Sequence, residues 1–97
     1  MSHVALHVSL TAKSEKADEL AAFLASAQPL AEAEPATLTW YAVRLAPNQF
    51  VIFDTFSDDS GRQAHLQGPI AAALMAHADN LLAAPPEIQF ADVLARK

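Results

Sequence analysis

Residues 50–56, Phe-Val-Ile-Phe-Asp-Thr-Phe, constrain this chain more than any other segment. Read with a period of two, Phe50, Ile52, Asp54 and Phe56 share one side, and Val51, Phe53 and Thr55 share the other. Both sides are largely apolar, so the strand belongs inside a sheet, with cover on each face. Its one carboxylate, Asp54, must find a partner or take up a proton in such surroundings. Arg44, on the strand that precedes it, is the expected partner.

The neighbouring segments supply that sheet. Residues 37–45 are rich in strand formers, and Ala46-Pro47-Asn48-Gln49 is a turn, so 37–56 reads as a hairpin. Val4, Leu6, Val8 and Leu10 alternate with His3, Ala5, His7 and Ser9, which predicts a strand over 4–10. Ile88, Phe90, Asp92 and Leu94 alternate with Gln89, Ala91 and Val93 over 87–94. Between these lie helical patterns. Ser14 opens one, with Glu15 and Asp18 in its first turn, and Ala17, Leu20, Ala21, Leu24 and Ala27 form its apolar stripe. Pro29 ends or kinks it, with one further turn over 30–34 before Pro35. Ser57, Asp58, Asp59 and Ser60 start a second helix, which breaks at Gly68-Pro69. Pro69 then opens a third, ending near Leu82. The order is strand, helix, strand, strand, helix, strand: an α+β, ferredoxin-like βαββαβ arrangement with an antiparallel sheet and helices on one face. It fills residues 1–97 as a single domain. The uncovered sheet face is also apolar, so a second copy is expected to cover it, giving a homodimer through the open sheet face.

Composition narrows the function. The chain is 53% hydrophobic, which is more apolar surface than so short a chain readily hides. Six basic residues against eleven acidic ones leave a net charge of −5, which argues against nucleic acid and against anionic membranes. Cysteine is absent, which excludes disulfides, thiolate metal sites and cysteine nucleophiles. His3 and His7 are the nearest thing to a metal pair, but on a strand they stand about 13 Å apart. No apolar run approaches the ~20 residues needed to span a bilayer. Met1-Ser2-His3-Val4 lacks the features of a signal peptide, so a cytoplasmic location is expected.

The segment Trp40-Tyr41, Phe50 to Asp58, Gly61-Arg-Gln-Ala-His65 and Leu74-Met75 resembles the antibiotic biosynthesis monooxygenase family. The pattern is an acid, any residue, an aromatic, a short polar stretch and then Ala-His. Here it is Asp54-Thr55-Phe56 followed by Ala64-His65. The resemblance implies a dimeric α+β barrel with a pocket between sheet and helices. It also implies a monooxygenase that oxidises a small phenol or hydroquinone with O2 and needs no cofactor. Alternatives from the same resemblance are a non-catalytic binding or stress-response module, an isomerase, and a haem-binding or haem-degrading member. The haem-degrading pattern fits less well: Phe56 replaces its Trp, His7 stands near its strand Asn, and His77 is out of step with its iron ligand.

The candidate residues follow from both readings. His65, His7 and Asp54 are the candidate bases, since a histidine titrates near working pH and a carboxylate in apolar surroundings is perturbed. Each also has a structural reading as a hydrogen-bonded core group. By the resemblance, His7 and Phe56 look into one pocket. Trp40, Phe56, Phe90, Phe23, Leu74, His77 and Arg44 are the candidate substrate-binding residues, although aromatic and apolar residues at core spacing more often form core. Tyr41 points away from Trp40.

Overall fold

The structure is a computed structural model and describes residues 3–97. Met1 and Ser2, and the signal-peptide reading that includes them, lie outside the described residues. Eight elements follow one another: β1 (Val4–Thr11), α1 (Ala17–Ser26), α2 (Gln28–Glu32), β2 (Thr37–Ala46), β3 (Gln49–Phe56), α3 (Asp59–Leu66), α4 (Pro69–Leu81) and β4 (Glu87–Asp92). The four strands form one antiparallel sheet in the order β2-β3-β1-β4. The fold is α+β and ferredoxin-like, as the element order predicts.

Register assigns each side chain to a face. Leu6 stands opposite Asp54 and Phe90, Val8 opposite Ile52 and Ile88, and Leu10 opposite Phe50. Trp40 stands opposite Asp54, Ala42 opposite Ile52, and Arg44 opposite Phe50. These residues share the face that carries the helices. Leu20 and Leu24 of α1 and Leu74 and Leu81 of α4 pack there against Leu6, Leu10, Phe50, Ile52 and Phe56. Each such side chain, removed from water, contributes about 1.5–3 kcal/mol before its entropy cost. The opposite face carries Ala5, His7, Ser9, Tyr41, Val43, Val51, Phe53 and Thr55. None of these joins the core cluster, and Tyr41, Val43 and Phe53 are exposed.

Some boundaries differ from the sequence reading. Ser14 does not open α1. Glu15 takes a left-handed φ of 71° and the Lys16 N–H donates to the Lys13 carbonyl, so a turn occupies 13–16 and Ala17 is the first helical residue. The first helix does break near Pro29 and a further short turn follows, but the break falls after Ser26, and Pro29 stands in the first turn of α2, where its missing N–H costs nothing. The strand expected over 87–94 stops at Asp92, and Leu94 is almost fully exposed. The second helix starts as expected, with the Asp58 carboxylate accepting from the Gly61 N–H at 3.0 Å. Gly61 also permits a close approach. A Cβ there would sit 3.2 Å from that of Ala36, so α3 rests directly on the segment that leads into β2.

Candidate functional site

Beneath α3 lies a cluster of three ionisable side chains. Asp54 of β3 is fully buried and His65 of α3 nearly so. His65 Nε2 lies 2.9 Å from Asp54 Oδ2, and His65 Nδ1 lies 2.7 Å from Oε1 of Glu34, in the connection between α2 and β2. The same Glu34 oxygen accepts from the Thr37 hydroxyl at 2.7 Å. The Asp54 contact is a charge contact more than an aligned hydrogen bond, since neither Asp54 oxygen completes one among the described residues. The Phe56 ring packs against the imidazole, with centroids 5.4 Å apart. Burial by itself lowers the pKa of His65. The Asp54 and Glu34 carboxylates outweigh it and hold the pKa above the ordinary 6.5. Each ring nitrogen faces a carboxylate oxygen, so the protonated ring is stabilised relative to a free imidazole.

A second feature lies at the open edge of the sheet. β2 is an edge strand, and a cleft of about 320 Å³ runs between it and α1. Ala21, Leu24 and Phe50 wall it, Gln28 and Trp40 stand at one end, and Arg44 stands at the other. Trp40 and Gln28 also line an adjoining hollow of about 310 Å³ toward Thr37 and Thr39. Trp40 Nε1 is buried and has no hydrogen-bond partner among the described residues. A buried donor without an acceptor costs about 1–3 kcal/mol. The Arg44 guanidinium lies 5.0 Å from the Phe50 ring centroid and donates to the Pro47 carbonyl from Nε and Nη2. A largely apolar cleft with a few fixed donors is the usual form of a small-molecule site.

No protein-family model matches the chain, and no curated protein matches it. A crystal structure of a Nitrosomonas europaea protein of unknown function is similar at 52% identity, with a TM-score of 0.97, over 100% of this chain and 94% of that one. The chain belongs to one family with that protein. Two more distant structures carry the provisional name antibiotic biosynthesis monooxygenase. One, also from Nitrosomonas europaea, is 15% identical with a TM-score of 0.85, over 95% of this chain and 90% of that one. The other, from Chloroflexus aurantiacus, is 20% identical with a TM-score of 0.78, over 99% and 97%. The family to which the chain belongs thus has a monooxygenase-like fold, the one that the Asp54-Thr55-Phe56 and Ala64-His65 pattern implies.

Within this fold the structure separates residues that the sequence reading had grouped. His7 stands opposite Phe53 and Gln89, on the face away from the helices, so it does not share a pocket with Phe56, Asp54 or His65. Side-chain parity along β1 forces this, since Leu6 and Val8 face the core. Arg44 is not the partner of Asp54. It pairs in register with Phe50 and reaches outward to Pro47 and Asp18, while His65 takes the contact with Asp54. Phe56 and Leu74 are core residues. Phe23 and the exposed His77 meet in a tilted ring contact, 5.1 Å between centroids. Phe90 is half exposed beneath the Arg62 guanidinium, at 4.4 Å. Of the candidate wall residues, Trp40 and Arg44 line the cleft. Glu34 escaped the sequence reading. It lies 31 positions from His65 in a segment read only as a helical turn, and its one usable signal is a carboxylate flanked by Ala33 and Pro35. Among the described residues no group of three or more His, Cys, Asp or Glu side chains could hold a metal ion, and no helix is long and apolar enough to cross a membrane.

Proposed function

We propose that this protein is a monooxygenase that oxidises a small phenol or hydroquinone with O2 in the cleft between α1 and β2, using no bound cofactor. The observation that carries the reading is the buried indole N–H of Trp40, without a partner among the described residues, on a side chain that lines an apolar cleft with Arg44 along the same strand. Phenols ionise near pH 10, and a fixed N–H beside the oxygen favours the anion. The phenolate is electron-rich enough to reduce O2 itself. For a hydroquinone the balance is one O2 consumed, one hydroxyquinone formed and one water released. One oxygen atom forms a new C–O bond, the ring supplies four electrons, and two hydrogens leave in the water. The protein selects the anion, orients it and keeps water from its apolar edge.

His65 and Asp54 then hold the architecture and do not act as bases. They clamp α3 to β3, and Glu34 ties both to the start of β2, the strand that carries Trp40 and Arg44. The acidic, cysteine-free chain is expected to work in the cytoplasm as a homodimer, a second copy covering Tyr41, Val43 and Phe53. One observation favours a second reading, a binding module without catalysis: the residues lining the cleft include no histidine and no carboxylate.

Trp40 is the single tryptophan of the chain, so its fluorescence reports the cleft directly. A panel of hydroquinones is titrated against it while O2 uptake is followed. Saturable quenching with enzyme-dependent uptake is the expected result. Quenching without uptake selects the binding module, and the absence of both refutes the site.

A further inference from the structure

We infer that the ligand of this cleft carries a carboxylate, bound by Arg44 at the end of the molecule remote from the oxygen that Trp40 receives. The inference rests on the cleft being the ligand site, as proposed above, and adds what Arg44 selects.

Arg44 is prepared for an anion. Its head group is held in place by two hydrogen bonds to the Pro47 carbonyl, 3.2 Å from Nε and 2.8 Å from Nη2, and by the Phe50 ring beneath it. Every hydrogen bond that Arg44 makes among the described residues leaves from Nε or Nη2, so both Nη1 protons remain for a ligand. A guanidinium fixed on a carbonyl and an aromatic ring loses little freedom when it meets a planar carboxylate.

Its protein carboxylate is a weak competitor. Asp18 Oδ1 lies 3.4 Å from Nη2, and the Asp18 side chain is 99% exposed. Such a solvated pair is worth little and is screened by salt. A ligand carboxylate lying against Phe50, with less water around it, has the advantage. Arg44 is also the one cation among the residues lining this cleft and the adjoining hollow. In a chain of net charge −5, a lone cation in an apolar cleft marks where negative charge is wanted.

The spacing sets the shape. Trp40 and Arg44 lie on one face of β2, four residues and about 13 Å apart along the strand. One ring substituent cannot reach both, so the acid belongs opposite the phenolic oxygen, on a short chain. The volume of about 320 Å³ accepts a single ring bearing such a chain.

The test uses 3-(4-hydroxyphenyl)propanoate and its uncharged amide, titrated by calorimetry at low salt into the wild type, Arg44→Gln and Asp18→Asn. The wild type is expected to bind the acid at least tenfold more tightly than the amide. Arg44→Gln should abolish that preference, the acid then binding no more tightly than the amide, and Asp18→Asn should tighten the acid alone. Equal affinity for acid and amide in the wild type, or a preference that survives in Arg44→Gln, overturns the role of Arg44 while leaving the cleft as the ligand site. If neither compound binds, hydroquinone quenching of Trp40 separates the failures: quenching retained overturns this inference alone, and quenching absent overturns the proposed site as well.

Discussion

Replacing His65 by Gln removes the only cation from a pocket that holds two carboxylates. Asp54 is fully buried, and the Glu34 and His65 side chains are 15% and 7% exposed. Breaking a buried ion pair by deleting one partner costs about 3–5 kcal/mol, because the charge left behind has lost water and gained nothing. A chain of this size has a stability of about 5–15 kcal/mol, so His65→Gln spends a large share of it and still leaves a folded population. At an m value of about 1.5 kcal/mol/M the urea midpoint falls by about 2–3 M. The pH dependence is the more specific signature. His65 titrates above its ordinary 6.5 in the folded protein and near that value when unfolded. Its contribution is therefore complete below pH ~6.5 and is lost as pH rises through the elevated folded pKa. Urea unfolding at one fixed protein concentration, between pH 6 and 9, should show wild-type stability falling across that window and His65→Gln lacking the decline. Adding Glu34→Gln to His65→Gln should cost less than the separate effects sum to, since each already removes the same contact. A loss below about 1 kcal/mol, or parallel pH profiles for the two proteins, would refute the claim that a buried imidazolium is held between two carboxylates.

Three further outcomes follow from the geometry. Trp40→Phe should abolish hydroquinone binding without lowering the urea midpoint, because relief of the unpartnered N–H, about 1–3 kcal/mol, offsets the packing lost with the smaller ring; calorimetric titration and unfolding measure the two separately. Phe53→Asp, on the helix-free face, should give a monomeric mass by sedimentation at a micromolar concentration at which the wild type is expected to be dimeric, and a monomeric wild type would defeat the dimer outright. Gly61→Val should destabilise by about 1–3 kcal/mol in chemical unfolding, since a Cβ at that position already meets Ala36 at 3.2 Å and a branched side chain cannot be fitted without moving α3.

The order of elements was legible because alternation and helical periodicity are local properties, set by which neighbours share a face. The hairpin over 37–56, the Asp58 cap and the Pro69 start all follow from residues a few positions apart. The errors arose where backbone conformation overrode pattern. Glu15 in the left-handed region moved the start of α1, and the break expected at Pro29 falls two residues earlier, so that Pro29 lies in the first turn of α2. Site residues were harder. Trp40 and Arg44, two of the candidate substrate-binding residues, line the cleft, and Gln28 and Leu24 beside them have the pattern of ordinary helix residues.

By itself, the sequence determined the ferredoxin-like element order, the parity of each strand, and that Asp54 would sit in apolar surroundings and need a partner. Only the tertiary structure decided who that partner is. Arg44 is nearer in sequence, but strand register turns it toward Phe50 and the sheet edge, while Gly61 brings α3 close enough for His65 to reach Asp54 and Glu34. The same register put His7 on the face without helices. Parity along a strand says which residues travel together; which face meets the helices, and which distant charge completes a buried cluster, depends on packing between elements that no local pattern encodes.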